Sequence, residues 1–349
     1  IRFMKIAVDA MGGDFAPQAI VEGSLMASKE FNDLEFLLFG DEAKIRKALG
    51  DQYAEGGKIT IVHTTEKIES DDEPVKAIRR KKQASMVLAA QAVKNKEADA
   101  LFSAGNTGAL LAAGLLIIGR IKGIDRPGLM PILPVIGKEN GQFLLMDAGA
   151  NADCKPENIY QFGLLGSYYA KFVQGIENPR IALLNNGAEA TKGSELSKKA
   201  YVLLEEDSEL NFTGNIEARE ILLGAADVVV TDGFTGNAVL KTMEGTAMSL
   251  LKLIKTQLLS GGLKTKIGGM LIKDSFSEIK DTMDYSKHGG AVLFGLRAPV
   301  VKTHGSADKV AVYHTVKQIR KIISSHVIDD VVKHFDAMND KSVNQIQPK

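Results

Sequence analysis

Residues 5–14 read Lys-Ile-Ala-Val-Asp-Ala-Met-Gly-Gly-Asp, and this stretch decides the fold class. The apolar run 5–10 has the length and composition of a buried strand. It closes on polar residues and a glycine pair, and helical periodicity begins at about Pro17. Strand, glycine turn and helix form the repeating unit of a parallel α/β sheet. The unit recurs along the chain. Residues 34–39 (LEFLLF) and 58–63 (KITIVH) read as strands, with a helix near 41–49 between them. Residues 74–95 read as one long helix. A strand at 98–103 runs through Gly105-Asn106-Thr107-Gly108 into an apolar helix ending near Ile118. Short strands are expected at 131–136 and 143–146, a helix at 156–173, and a strand at 180–184 before a helix from about Thr191. A strand at 227–230 leads into a long helix. Residues 291–302 include a strand, and a final helix runs to about Phe335.

The pattern predicts a doubly wound, mainly parallel sheet with helices on both faces. Residues 4–338 read as a single large α/β unit, with 245–285 an amphipathic helix-loop-helix extension. Met4 reads as the natural initiator, with 1–3 an addition ahead of it, and 339–349 as a polar, frayed tail. Composition narrows the functional classes. The 349 residues are 45% hydrophobic and 25% charged, which argues against intrinsic disorder. Forty-three basic residues balance forty-three acidic ones, so no overall polycationic surface exists for nucleic acid. Cys154 is the single cysteine, which rules out an intrachain disulfide and a Cys-rich zinc cluster and fits a reducing, cytoplasmic home. The longest strongly apolar stretch, 109–119, falls far short of the roughly 20 residues of a membrane span.

Ligands of doubly wound sheets bind at the carboxyl ends of the strands. Five such ends carry a small or polar residue, a glycine and a helix start: 9–14, 103–108, 185–193, 231–237 and 302–306. Free N–H groups at a helix start attract anions, and glycine lets the backbone approach them closely. The turns therefore predict a phosphate or carboxylate site. Its candidate binding residues are Asp9, Gly12, Gly13, Asp14, Ser103, Gly105, Asn106, Thr107, Gly108, Gly233, Thr235 and Gly236. Familiar nucleotide signals are missing. No G-x-G-x-x-G follows the first strand, and in Gly187 to Ser194 (GAEATKGS) Lys192 precedes its glycine, so a Walker A reading fails. No His-x-x-x-His pair exists; His288, His304, His314, His326 and His334 are scattered, and only His304 lies in a strand-end turn. No metal and no cofactor are expected.

The motifs D9-A-M-G-G-D14, S103-A-G-N-T-G-A109, D147-A-G-A-N151, G214-N-I-E217, D232-G-F-T-G-N237, L240-K-T242 and K302-T-H-G305 together resemble the bacterial phosphate acyltransferase of phospholipid synthesis, the PlsX family. The resemblance runs from Met4 to about His334. One departure is Asn185-Asn186-Gly187-Ala188-Glu189, where the family more often has an apolar second residue and an acidic fourth. The resemblance implies transfer of a fatty acyl group from acyl carrier protein to inorganic phosphate. It also implies a fold similar to phosphotransacetylase and isopropylmalate dehydrogenase, and a homodimer. In that chemistry Lys192 is the candidate for holding phosphate or developing negative charge. Asn106 and Asn237 are candidate donors to phosphate or the carbonyl oxygen. His304 is a candidate for helping the thiolate leave, and Asp232 for orienting a neighbour. Phosphate can attack directly, so a covalent role for Cys154 is not expected.

Two segments address partners. Arg79, Arg80, Lys81 and Lys82 form a basic cluster suited to an acidic carrier protein, against the simpler reading of a solvated helix face. Residues 245–273 hold five lysines and no acid, with an apolar stripe that includes Leu258, Leu259, Ile267, Met270 and Leu271. That combination fits peripheral contact with an anionic membrane; a core or dimer contact is the alternative. A nicotinamide-dependent dehydrogenase of the isopropylmalate type lacks the Asp cluster for a metal. A non-catalytic scaffold does not explain so many polar strand ends.

Overall fold

The computed structural model describes residues 3–139, 141–284 and 289–345. The expectations for residues 1–2, 346–349 and His288 lie outside them. The strands form two sheets. The first half opens with β1 (Met4–Asp9), α1 (Gln18–Glu30), β2 (Leu34–Gly40), α2 (Glu42–Leu49) and β3 (Ile59–His63). It continues with α3 (Pro74–Arg80), α4 (Ser85–Lys94), β4 (Ala100–Ser103), α5 (Thr107–Ala113) and β5 (Gly128–Met130). Ile6, Ala7 and Val8 of β1 are fully buried, as a strand covered on both faces requires. Pro131 separates β5 from β6 (Ile132–Pro134), and there the chain passes to the other sheet.

The second sheet is built from β6, β7 (Gln142–Met146), α6 (Pro156–Phe172), β8 (Arg180–Asn185), α7 (Glu195–Glu206), β9 (Asn211–Glu217) and β10 (Val228–Val230). Three helices follow: α8 (Gly233–Ser260), α9 (Leu263–Leu271) and α10 (Lys273–Met283). The chain then returns to the first sheet with β11 (Ala291–Phe294) and β12 (Val300–Lys302), and ends in α11 (Lys309–Ser325) and α12 (Val327–Gln345). Strand order is β3-β2-β1-β4-β12-β11-β5 in the first sheet and β6-β7-β10-β8-β9 in the second. Pairing is parallel except where β11 meets β12 and β5, and where β6 meets β7. One buried apolar cluster draws on both sheets, from Ile6 and Phe102 to Leu144, Leu183 and Val230.

Several elements differ from expectation for local reasons. The helix expected over 74–95 is two helices, because the backbone leaves helical geometry at Lys81 and resumes at Ser85. The final helix divides at His326, which takes a left-handed φ of 55°. The polar tail after Met338 continues α12 through to Gln345. The helix expected from Thr191 begins at Glu195, capped by Ser194. β9 is an edge strand whose polar sequence and Gly214, at φ 97°, hide its strand character.

Candidate active site

The parallel strands β1, β4 and β12 end side by side, and their turns bond to one another. Asp9 is only 2% exposed, and its carboxylate accepts from Ser103 Oγ at 2.7 Å and Ser85 Oγ at 2.6 Å. Ser103 Oγ in turn accepts from Gly105 N at 3.0 Å. The Asp14 N–H donates to Gly305 O at 2.8 Å, joining the β1 and β12 turns. Gly12 is required by close approach: a Cβ there would lie 2.6 Å from Asp9 Oδ2 and 2.8 Å from Gly105 N. Gly13 has φ 113° and faces Ala104 and Gly305. Asp9, Ser103, Gly12 and Gly13 thus form the floor that holds the turns, with Asp9 and Ser103 buried behind it. Asp9 and Ser103, both expected at the ligand, are bonded to each other beneath these turns.

Asn106, expected as a donor to the ligand, caps α5. Its Oδ1 accepts from Ala109 N at 3.0 Å. Its amide nitrogen donates to the carbonyls of Glu69, Ser70 and Asp72 at 3.1–3.3 Å. The Thr107 and Gly108 N–H groups open the helix and donate to no described residue, as first-turn groups do. They are the part of this turn able to meet an anion.

The β7 and β10 ends form a second group. Asp147 is fully buried and accepts from the backbone N–H groups of Leu129, Gly149, Ala150 and Asn151 and from Asn151 Nδ2, at 2.7–3.0 Å. Burial raises its carboxyl above the usual range, against those hydrogen bonds. Gly233 N donates to Asn151 O at 2.8 Å, and Gly236 N to Asp232 O at 2.9 Å. Asp232 caps α8 through Thr235 N at 2.8 Å and Thr235 Oγ1 at 2.7 Å. The donors of this turn expected to cradle phosphate are therefore committed to holding α8. The glycines serve packing: a Cβ on Gly236 would lie 1.8 Å from Asp147 O. Asn237 is exposed on the next position of α8, against Gly149.

Lys192 sits in the loop after β8, the strand next to β10. Its stem crosses Gly187, where a Cβ would lie 2.8 Å from Lys192 Cγ. The loop is pinned by Asn185 Nδ2 on Lys192 O at 3.2 Å and Asn215 Nδ2 on Glu189 O at 2.9 Å. Lys192 is exposed and has no ion pair among the described residues. His304 is exposed in the β12 turn. Its Nδ1 accepts from Ser306 N at 3.2 Å and lies 2.7 Å from Ser306 Oγ. A neutral His304 therefore carries its proton on Nε2.

Two further cations escaped the sequence reading. Lys302 ends β12 in register with Ser103, and Lys241 lies two turns along α8. Their charges act on each other, although one belongs to each sheet's set of turns. Burial and Lys241 push the Lys302 amine down to about 8, against a smaller opposing effect of Asp14 and Asp9. Both lysines stood in the quoted motifs, but only folding reveals that they approach.

Cys154 lies beside the β7 and β10 turns, its Sγ 3.5 Å from Asn151 O, and burial pushes the thiol up to about 11. Of the basic cluster, Arg79, Arg80 and Lys82 are exposed. Lys81 is engaged with Asp72 at 2.5 Å and with Lys67 O at 3.2 Å. Leu258 packs toward Gly269, while Leu259, Ile267, Met270 and Leu271 stand exposed, the last two 77% and 81%. A hollow of about 760 Å³ between α8, α9 and α10 is ringed by Lys252, Lys255, Lys266, Lys273 and Lys280. Among the described residues no helix is long and apolar enough to cross a membrane.

A family model described as "Fatty acid synthesis protein" matches residues 4–330. A protein of Enterococcus faecalis named phosphate acyltransferase is 62% identical over 333 residues, covering 95% of this chain and 99% of its own length. One of Latilactobacillus sakei with the same name is 61% identical over 332 residues, covering 95% and 97%. Among solved structures, a phosphotransacetylase from Streptococcus pyogenes superposes with a TM-score of 0.61 at 18% identity, covering 94% of each chain. A branched-chain phosphotransacylase from Enterococcus faecalis superposes with a TM-score of 0.55 at 17% identity, covering 91% of this chain and 98% of its own. At those identities the structural likeness bears on the fold.

Proposed function

The chain belongs to the fatty acid synthesis protein family and is a phosphate acyltransferase, and from that premise we propose that its donor is a fatty acyl thioester of acyl carrier protein and its products are an acyl phosphate and the free carrier. The observation that carries this reading is the gathering of cations and helix-start N–H groups at adjoining strand ends, with Lys241 and Lys302 in each other's field. Hydrogen phosphate is anionic near neutral pH and needs no strong base to become a nucleophile. A leaving thiolate, with a pKa of roughly 8.5, needs little help to depart. The protein's task is to hold phosphate, aim it at the thioester carbonyl and stabilise the oxyanion. The Thr107 and Gly108 N–H groups and Lys192 suit phosphate. Asn237 and the Nε2–H of His304 suit the carbonyl oxygen or the sulfur.

The carrier approaches over α3. That helix leans on the first turn of α5, where a Cβ on Gly108 would lie 2.6 Å from Pro74 Cγ. Exposed Arg79 and Arg80 stand at the far end of that helix and Lys82 just past it. An acidic carrier docked there is steered by charge and presents its thioester beside the strand ends. Beyond Leu240 no residue of α8 is buried in the single chain, and none of α9 or α10 is. This apolar, lysine-ringed projection suits association with a second copy and peripheral contact with an anionic membrane.

The test compares one acyl chain carried by the carrier protein and by a small pantetheine thiol. Changing Arg79, Arg80 and Lys82 together to Glu should raise KM for the carrier-linked substrate by about tenfold or more and leave the small thioester within about twofold. An equal effect on both contradicts carrier docking at this patch.

A further inference from the structure

Lys302 is a half-buried lysine without an ion pair among the described residues. Its Nζ donates to the adjacent Thr303 carbonyl and to no carboxylate of the described residues. It stands at the end of β12, beside the Ser103 turn, with the His304–Ser306 turn next in sequence. The charged groups whose fields reach it are Lys241 from α8, which disfavours its ammonium, and Asp14 and Asp9 from the β1 turn, which favour it. Asp9 is already engaged by two hydroxyls, and Lys241 pairs with Glu244 at 3.0 Å. A lysine so placed adds little to stability, because its burial goes uncompensated. Groups held this way beside strand-end turns are candidates for chemistry.

The overall reaction has a proton to move. Hydrogen phosphate becomes the acyl phosphate dianion, and the thiolate becomes a thiol. Resting on the acyltransferase reading above, we propose that Lys302 carries that proton. As a phosphate oxygen bonds to the carbonyl carbon and the C–S bond breaks, the Lys302 ammonium gives a proton to the departing sulfur. The resulting amine takes the proton from the phosphate oxygen, so the lysine ends as it began and atoms and charge balance. An amine near 8 matches a thiol of roughly 8.5, and transfer between matched groups is efficient in both directions. An unperturbed lysine would release its proton too reluctantly for this.

The experiment uses the full chain, inorganic phosphate and two thioesters of the same acyl group. One thioester has an alkyl thiol and the other an aryl thiol, which leaves without protonation. Lys302→Arg keeps the positive charge and cannot pass a proton. Its kcat on the alkyl thioester should fall about 100-fold, with kcat on the aryl thioester and KM for phosphate changing by less than about fivefold. In the wild type, kcat/KM should fall as pH rises through about 8, where the ammonium is lost, and this limb should vanish in Lys302→Arg. Unchanged turnover of the alkyl thioester, or an equal loss on both, overturns the proposal. Lys302→Gln is read by the same alkyl-to-aryl ratio should the arginine variant fail to fold. A wild type that turns over neither thioester with phosphate overturns the acyltransferase reading itself, and this inference with it.

Discussion

Glycine at a strand end has two uses, and its neighbours separate them. At Gly12, Gly233 and Gly236 an added Cβ would strike backbone or a buried carboxylate, so these residues let turns and a helix end pack together. Sequence shows only that glycine is present, and does not separate packing from approach to an anion. Asn106 and Asp232 were ambiguous for the same reason, since the side chain that caps a helix is the one that meets a ligand. Lys302 shows the converse. A lysine at a strand end reads as surface, and its burial beside Lys241 depends on contacts between segments far apart in sequence. Lys192 and Cys154 allow a direct comparison. The Cys154 thiol, pushed up to about 11, is protonated at neutral pH and makes a poor nucleophile. Cys154→Ala should keep phosphate-dependent turnover within about threefold of wild type, while Lys192→Ala should lose about 100-fold. An inactive Cys154→Ala protein with an unchanged melting temperature contradicts this account.

Strong periodicity made most elements legible. Strands β1, β2, β3, β4, β8 and β10 were read from short apolar runs, because parallel strands covered on both faces carry such runs. The misses are edges and breaks. β5 has three residues, and β9 is polar with a glycine at positive φ. The breaks at Lys81 and His326 fall where helical composition continues, and only the backbone angles mark the helix end. Helix α8 is the element that projects. Its 28 residues span about 42 Å, and its buried residues end at Leu240. The exposed apolar residues past that point sit among lysines, and this arrangement should bind anionic vesicles. Leu259→Glu with Leu271→Glu should reduce co-sedimentation with anionic vesicles severalfold while leaving turnover of a soluble thioester within about twofold. Equal sedimentation of variant and wild type contradicts membrane contact through this face.

At the scale of the molecule, formal neutrality conceals segregated charge. A basic cluster sits at the C-terminal end of α3 and just past it, and the lysine ring surrounds the α8–α10 hollow. The two sheets explain why the site could be read only in part. Each sheet's strand ends were visible in sequence, and so was the kind of ligand they suit. How the two sets meet depends on the passage of the chain through Pro131 and its return by β11 and β12, which no local pattern encodes. Identity of 62% to a phosphate acyltransferase across 95% of the chain fixes the family. The most direct test is the rate of free thiol release from a long-chain acyl carrier protein as inorganic phosphate is varied, with the acyl phosphate trapped by hydroxylamine. The account predicts release that saturates with phosphate and one trapped acyl group for each thiol. Release at the same rate without phosphate, with no trapped product, would contradict it.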